Sequence, residues 1–393
     1  MIFNFQELSL RWQKIQAKLK EEQADACLIS TNVNLLYSLG GVINGYVYLP
    51  QEGDAIVFIR RPEGIDDKRF IYIRKPEQIV EELQARGIDL PKTLVVEGGE
   101  ISHEEWLRYE KIFRNPKMIN GTTLLRKVRS VKTDYELSQL RESARLQALT
   151  YAEIPSLYRP GMTEHELTAE IERNARLHGN LGIFRIFGQS MEAFMGTLLA
   201  GDNAAEPSPY DFALGGAGMH TSLPIGHRNS PFVEGTSVII DIAGNYTGYI
   251  SDLTRTFSIG KLPQKAYDAH QVSLEIQHRL AEMGKPGVAC EDLYLEALRI
   301  VDHYGLSQHF MGTKQQAKFV GHGVGLVINE LPVICNKVKD PLEENMTIAL
   351  EPKFVFEGIG AVGTENTFIV GKNGMEKITI VAEEIIELPP PTP

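Results

Sequence analysis

The chain begins with apolar residues at helical spacing, and short runs rich in β-branched residues follow them. An amphipathic helix is predicted over residues 8–22 from the spacing of Leu8, Trp12, Ile15 and Leu19. Further runs predict strands at 26–29, 46–49, 55–59 and 93–96 and a helix over about 76–86. This alternation predicts an α/β domain over residues 1–128, in which we find no catalytic cluster.

A second domain is predicted over residues 129–387. It begins after the basic run 126–132, where Thr133 and Glu136 form a capping box that starts a long helix ending near Tyr158. A second capping box, Thr163 with Glu166, starts a helix that stops at Gly179. The proline-rich residues 388–393 (LPPPTP) are predicted to be a disordered tail.

Two stretches of the second domain resemble each other. Residues 159–179 and 285–305 have the same length, begin with Pro-Gly after one basic residue and end in Gly. Two helices with similar caps would produce this by chance. We interpret the similarity as a duplicated α/β half, with a functional site between the halves.

Composition and charge restrict the kinds of molecule that the protein is expected to bind and the compartment in which it is expected to work. The 40 basic and 51 acidic residues give a net charge of 40 − 51 = −11, which argues against a nucleic-acid partner. The three cysteines, an odd number, favour a reduced cytoplasm over a disulfide framework. The sequence starts without a signal-peptide pattern, and no apolar run reaches the ~18–20 residues of a membrane span. We therefore expect a cytoplasmic protein of two domains that does not bind membranes.

The candidate chemistry begins with a predicted hairpin over residues 238–257. The apolar run 238–240 ends in Asp241, a Gly/Asn turn follows, and Asp252 lies on the returning strand. Two carboxylates this close repel each other unless a proton or a cation lies between them. An Asp pair serving as turn and cap residues explains the hairpin alone equally well.

Three further residues favour a cation site over turn and cap roles for the two Asp residues. His322 lies in the glycine-rich run 321–325, Glu351 follows an apolar run, and Glu365 precedes a predicted strand. Buried carboxylates need ionic partners or metal ions, and we see no matching set of nearby Lys or Arg. The four acids and the histidine together therefore predict divalent cations.

The order of these motifs resembles the creatinase/aminopeptidase P/methionine aminopeptidase superfamily, the pita-bread metallopeptidases of family M24. The similarity covers roughly residues 130–385, and the whole chain resembles the two-domain Xaa-Pro peptidases. It implies a mixed α/β fold, with a creatinase-like N-terminal domain and a pita-bread catalytic domain of pseudo-two-fold symmetry. It also implies a homodimer and a peptide or small-molecule substrate.

The same resemblance implies two divalent ions per subunit, bound by Asp241, Asp252, His322, Glu351 and Glu365. Asp252 and Glu365 would bridge the ions, and Glu351 would also carry the catalytic proton. Manganese is our first expectation, although cobalt, zinc and iron tolerate the same ligands. The side chains of Thr254, Arg255 and Thr256 are candidates for orienting the carboxylates, but Arg255 and Thr256 are equally compatible with ordinary strand positions.

The chain departs from the family at the positions that hold the substrate. Asn329 stands where most of these peptidases have a second histidine, and Gly363 stands where several have an arginine. Ile225 aligns with an upstream histidine of the family, unless a local shift brings His227 there. We predict catalytic roles for Glu351, His227 and Asn329. The histidine at position 165 is predicted to be solvated or capping.

Three hypotheses follow. The first is a dinuclear metallopeptidase that cleaves Xaa-Pro bonds at a free N-terminus, which we favour. The second keeps the fold and the metals but acts on a non-peptide small substrate, as creatine hydrolases and sulfonium lyases do. The third is a catalytically silent binding protein, which has no need of four buried acids.

Overall fold

The computed structural model describes residues 5–65, 69–188, 191–192 and 194–391. The chain divides into two compact units, Met1–Arg129 and Ser130–Pro393. Among the described residues, no helix combines the length and apolar character that crossing a bilayer requires.

The first unit is built around a six-stranded mixed sheet with the strand order β4-β3-β2-β1-β5-β6. Leu28, Phe58 and Leu94 on its strands pack with Leu83 and Tyr109 on its helices to form the core. The elements in chain order are α1 (Phe5–Glu21), β1 (Ala26–Ile29), α2 (Asn32–Leu39), β2 (Asn44–Pro50), β3 (Ile56–Arg61), β4 (Phe70–Tyr72), α3 (Gln78–Ala85), β5 (Thr93–Val96), α4 (His103–Ile112), β6 (Lys117–Asn120) and α5 (Thr122–Ser130).

The second unit contains two larger sheets and a short hairpin. Their strand orders are β17-β9-β8-β7, β11-β10-β12-β15-β16 and β13-β14. The elements in chain order are α6 (Asp134–Leu157), α7 (Glu164–Leu177), β7 (Gly196–Ala200), a 3-10 helix (Gly201–Ala205), β8 (Ser237–Asn245), β9 (Ile250–Ile259), α8 (Gln264–Met283), α9 (Cys290–His303), β10 (Phe319–Gly323), β11 (Glu330–Cys335), β12 (Thr347–Leu350), β13 (Lys353–Phe356), β14 (Gly360–Gly363), β15 (Asn366–Gly371), β16 (Gly374–Lys377) and β17 (Ile386–Leu388).

Each of the two larger sheets packs against its own pair of helices. Apolar residues of α6 and α7 pack on β8 and β9, whereas those of α8 and α9 pack on β10, β12 and β15. The similar stretches 159–179 and 285–305 contain α7 and α9, the second helix of each pair. This arrangement agrees with the interpretation that the two halves are related.

Local sequence signals located the helix starts well. Both predicted capping boxes are present. Thr133 accepts from the Glu136 amide, Thr163 accepts from the Glu166 amide, and each Glu side chain bonds back to its capping residue.

The C-terminal tail that the sequence predicts to be disordered begins with an ordered residue. Leu388 is buried and ends strand β17, where its carbonyl accepts from the Gly260 amide at 2.9 Å. Residues 392 and 393 lie outside the described residues.

Candidate metal centre

The hairpin of β8 and β9 carries the first two acids. Asp241 pairs with Thr254 and Asp252 pairs with Ala243 in the antiparallel register. Because paired residues and residues two apart lie on the same face of a sheet, the two carboxylates are diagonal neighbours. The predicted hairpin therefore places both acids on the same face, two positions apart in register.

Helix α6 fixes this hairpin through buried polar side chains. The Tyr151 hydroxyl donates to the Leu253 carbonyl and accepts from the Ile242 amide at 3.2 Å. Gln147 accepts from the Ser251 hydroxyl at 2.7 Å. Since these bonds reach both strands, the helix holds the backbone that carries Asp241 and Asp252.

The remaining sequence-predicted ligands come from the other half of the unit. His322 lies in β10, opposite Ala349 of β12, and Glu351 directly follows β12. Glu365 lies between β14 and β15 and forms an isolated bridge with Thr254, in which the Glu365 amide donates to the Thr254 carbonyl at 3.2 Å. This bridge joins the two halves at the centre of the acid cluster.

The five side chains form two overlapping groups of three. The first triad is Asp252, His322 and Glu365, and the second triad is Asp241, Glu351 and Glu365. Within each triad the potential ligand atoms all lie within 4.8 Å of one another. All five predicted ligands therefore meet at one place.

The first triad has the geometry of a metal site. His322 Nε2 lies 3.8 Å from Asp252 Oδ2, 3.9 Å from Glu365 Oε1 and 3.4 Å from Glu351 Oε1. Ligands on a tetrahedral ion with bonds of about 2.1 Å are about 3.4 Å apart, so small movements would close the site. Glu365 Oε1 is buried and has no hydrogen-bond partner, which leaves a lone pair for an ion.

The ring orientation of His322 is also suitable for metal binding. His322 Nδ1 lies 3.1 Å from the Gly323 carbonyl, which only accepts, so Nδ1 carries the proton that it donates there. The lone pair of the neutral ring is then on Nε2 and faces the acids. A backbone carbonyl commonly orients metal-binding histidines in this way.

The second triad surrounds the ammonium group of Lys353. Lys353 Nζ donates to Glu351 at 2.7 Å, to Asp241 at 2.8 Å and to Glu365 at 3.2 Å, and its side chain is 1% exposed. The sequence-based expectation that no Lys or Arg lies nearby is therefore wrong. The overlooked signal was a lysine two residues after Glu351 in an otherwise apolar run, because strand alternation places such residues on one side.

Burial and neighbouring charges strongly shift the pKa values of the groups in this cluster. Burial, followed by the charge of Asp241, raises the pKa of Asp252 to about 8. Burial opposes the charge on Glu351, but Lys353 and then His322 lower the pKa of its carboxyl to about 2. Burial likewise opposes the charge on His322, but Glu351 and then Asp252 raise its pKa to about 10. A divalent ion held by the first triad would take the place of the proton on His322, since a ligating imidazole is neutral.

The two triads differ in their suitability for metal. The first offers two carboxylates and a correctly oriented imidazole, a donor set that suits manganese, iron, cobalt or zinc. The centre of the second is filled by an ammonium that is bonded to all three of its members. The residues therefore fit one divalent ion in the first triad, and they do not fit a second ion beside Lys353.

Supporting hydrogen bonds hold the Glu365 carboxylate and backbone. The Thr254 hydroxyl donates to Glu365 Oε2 at 2.7 Å, and Arg255 Nη1 donates to the Glu365 carbonyl at 2.9 Å. The Thr256 hydroxyl donates to the Gly363 carbonyl at 2.7 Å, two residues earlier in the chain. All three side chains are at most 1% exposed, so they belong to the support of the site and not to the surface.

His227 is buried beside Phe194 and pairs with His165, its Nε2 lying 3.1 Å from His165 Nδ1. His165 is exposed, as the sequence predicted, and in addition its ring contacts His227. Burial, and then the charge of His165, lowers the pKa of His227 to about 4, so its ring is neutral at pH 7. His227 Nδ1 is buried and has no hydrogen-bond partner. That nitrogen is a candidate for substrate contact.

The polar atoms of Asn329 are already engaged. Its Oδ1 accepts from the Phe187 amide at 2.7 Å, and its Nδ2 donates to the Phe187 carbonyl at 2.8 Å. Its predicted catalytic role stays a prediction, and these bonds give it a structural task in addition. Ile225, the other aligned substrate position, is an apolar residue 1% exposed.

Comparisons with known proteins agree with this geometry. The profile of metallopeptidase family M24 matches residues 138–372, and that of the creatinase/prolidase N-terminal domain matches residues 11–131. The Xaa-Pro dipeptidase of Pyrococcus horikoshii is 24% identical over 387 residues, which cover 95% of this chain and 98% of the relative.

Solved structures with the same fold include an Xaa-Pro dipeptidase from Bacillus anthracis and an X-Pro aminopeptidase from Thermotoga maritima. The first has a TM-score of 0.80 at 21% identity and covers 97% of this chain and 100% of its own. The second has a TM-score of 0.77 at 22% identity and covers 96% and 99%.

Proposed function

Because the chain belongs to metallopeptidase family M24, we propose that it is a metal-dependent hydrolase that cleaves the Xaa-Pro bond at a free N-terminus, as a dipeptidase or an aminopeptidase. Its fold is the predicted one, a creatinase-type N-terminal domain followed by a pita-bread domain of mixed α/β structure. The observation that carries the proposal is the first triad, whose buried Glu365 oxygen lacks a partner and faces an imidazole oriented for metal binding.

The bound ion would be held by Asp252, His322 and Glu365, with Glu351 Oε1 next to His322. Such an ion supplies Lewis acidity, which polarises the scissile carbonyl and makes hydroxide available near neutral pH. Because the pKa of Glu351 is about 2 and its carboxylate lies beside this position, we assign to Glu351 the task of accepting the proton of the attacking water and delivering it to the leaving amine. We assign substrate contact to His227 Nδ1, because this buried nitrogen has no hydrogen-bond partner in the protein.

The test is a product-release assay with Xaa-Pro dipeptides, longer Xaa-Pro peptides and matched Xaa-Ala peptides. Manganese, cobalt, zinc and iron are supplied in turn, with manganese as the expected activator. We expect release of the N-terminal residue from Xaa-Pro substrates, loss of activity with a chelator and recovery on re-addition of metal. Absence of release from every peptide with all four metals would rule out the peptidase proposal.

A second candidate is hydrolysis or lysis of a non-peptide small substrate by the same centre. The observation that favours it is the bonding of Asn329 to Phe187, which occupies an amide at a position where the resemblance implies a substrate-binding group. Both candidates require the first triad. They differ in the pocket around it, so peptide turnover distinguishes them.

Asn329→His is expected to loosen the segment that contains Phe187. An imidazole cannot reproduce the paired amide bonds, each worth about 0.5–1.5 kcal/mol, so the Phe187 amide should lose protection in hydrogen exchange. Asn329→Asp is the matched control, since it keeps an acceptor for the Phe187 amide but puts a carboxylate oxygen, which only accepts, against the Phe187 carbonyl. If peptides are the substrates, Asn329→His should keep or raise kcat on them. If Asn329→His instead abolished an established Xaa-Pro activity, Asn329 itself would be needed in the substrate pocket of this enzyme.

A further inference from the structure

We propose that the Lys353 ammonium permanently replaces one of the two ions of the metal centre, so that the enzyme works with a single divalent ion in the first triad. This inference rests on the proposed metal-dependent function. It concerns the number of ions and the residue that determines it.

The hydrogen bonds of Lys353 define the replaced position. A lysine ammonium has three N–H donors and no acceptor. The three carboxylates of the second triad each take one of these donors, at 2.7 Å for Glu351, 2.8 Å for Asp241 and 3.2 Å for Glu365. The ammonium therefore lies among the same three carboxylates that would otherwise surround an ion.

Space excludes an ion beside this ammonium. Divalent ions bind carboxylate oxygens at about 2.0–2.6 Å, which puts an ion of the second triad at the position of Lys353 Nζ itself. Lys353 is also fixed at its backbone, because its carbonyl accepts from the Met311 amide at 2.8 Å and strand β13 pairs with β14. Its side chain is 1% exposed, so it cannot release the acids by a simple rotation into solvent.

Gly363 packs directly against the backbone that carries the lysine. The two residues are direct partners in the β13–β14 register. A Cβ on Gly363 would lie 2.5 Å from the Pro352 carbonyl oxygen, 2.9 Å from Lys353 Cα and 3.3 Å from Lys353 Cγ, and the Gly363 φ of +145° is unfavourable for other residues. The absence of a side chain at position 363 thus lets β14 pair closely with the start of β13, which fixes the backbone position of Lys353.

The first triad remains free for its ion. No hydrogen bond joins Lys353 to Asp252 or His322 among the bonds of the described residues, and the partnerless Glu365 oxygen is Oε1, whereas Lys353 bonds Oε2. Glu365 therefore divides its carboxylate between the two triads, one oxygen for the ammonium and one for the ion. The single ion would therefore lie next to a built-in cation, the Lys353 ammonium.

Manganese binding to the full-length chain tests the inference. After saturation with Mn²⁺ and dialysis, elemental analysis should return about one ion per chain, and electron paramagnetic resonance should show an isolated Mn²⁺. Lys353→Ala removes the ammonium and frees the second triad, so it should bind about two ions and show the spectrum of an exchange-coupled pair. Lys372→Ala, at an exposed lysine in the β15–β16 turn, should keep one ion.

Asp241→Asn provides a second measurement that does not depend on the folding of Lys353→Ala. Asp241 belongs only to the second triad, so the variant should still bind one ion. Two coupled ions in the natural chain, falling to one in Asp241→Asn, would overturn the role of Lys353 and leave the metal-dependent function standing. Binding of no ion at saturating Mn²⁺ would instead contradict the proposed function itself.

Discussion

Glu351→Gln is expected to reduce kcat by about 10²–10⁴-fold, the typical contribution of a positioned acid–base group, while the chain stays folded. The Glu351 carboxylate lies 3.4 Å from His322 Nε2 and 2.7 Å from Lys353 Nζ, so it faces both the ion position and the built-in cation. An amide of the same shape cannot accept the proton of the attacking water. It also binds a divalent ion less well than a carboxylate does.

The measurement is steady-state kinetics on the best Xaa-Pro substrate, together with metal content and thermal unfolding of the same preparation. Glu357→Gln is the matched control, because Glu357 is exposed in the turn after the strand that Lys353 begins. That control should behave like the natural chain. Near-normal turnover of Glu351→Gln with normal metal content would remove Glu351 from the mechanism.

Arg255→Met is expected to lower the free energy of unfolding by about 3–5 kcal/mol, because several buried acceptors lose their donor at a cost of about 1 kcal/mol or more each. The Arg255 guanidinium uses all five of its N–H donors. Its acceptors, at 2.7–3.0 Å, are the backbone carbonyls of Thr254, Glu365, Val381 and Ala382 and the side-chain oxygen of Asn366. A methionine leaves these buried acceptors unpaired, and each unsatisfied group costs about 1–3 kcal/mol.

Thermal unfolding measures the loss of stability, and Mn²⁺ titration measures the effect on the site. Arg255 is a positioning residue, because it holds the backbone of Glu365 and does not face the ion. Metal affinity should therefore fall in Arg255→Lys as well, which keeps the charge but has fewer donors. Arg299→Met, at a side chain 66% exposed, should change stability by less than about 0.5 kcal/mol. Equal stability of Arg255→Met and Arg299→Met would show that the network contributes little.

Much of the fold could be predicted from local patterns. Helix α6 begins with a capping box that is visible in the sequence, since Thr133 and Glu136 need only each other and the first helical turn. The hairpin that carries Asp241 and Asp252 is likewise encoded locally, by two apolar strands and a Gly/Asn turn. Leu388 shows the limit, because its strand forms only by pairing with β9, more than a hundred residues earlier.

In the functional site, too, some features could be predicted from the sequence and others depend on the tertiary structure. The four acids and His322 stand out in the sequence because a charged group in an apolar run has to be compensated somewhere, and this demand is visible without coordinates. The compensating group leaves only one local signal, the lysine two residues after Glu351, and the sequence does not show that its ammonium reaches the other acids. Lys353, the bond from Asn329 to Phe187 and the contact between His165 and His227 join residues whose roles depend on which strands and loops meet.

The sequence by itself determined the fold family and the position of both helix starts, and it predicted that four acids and a histidine lie together, because these depend on residue type, spacing and short-range hydrogen bonds. Only the tertiary structure decided that a lysine ammonium lies at the centre of the second triad. That position is created where the β8–β9 hairpin of one half meets the β13–β14 hairpin of the other. Three carboxylates from distant parts of the chain converge there, and the long side chain of Lys353 reaches all three from strand β13.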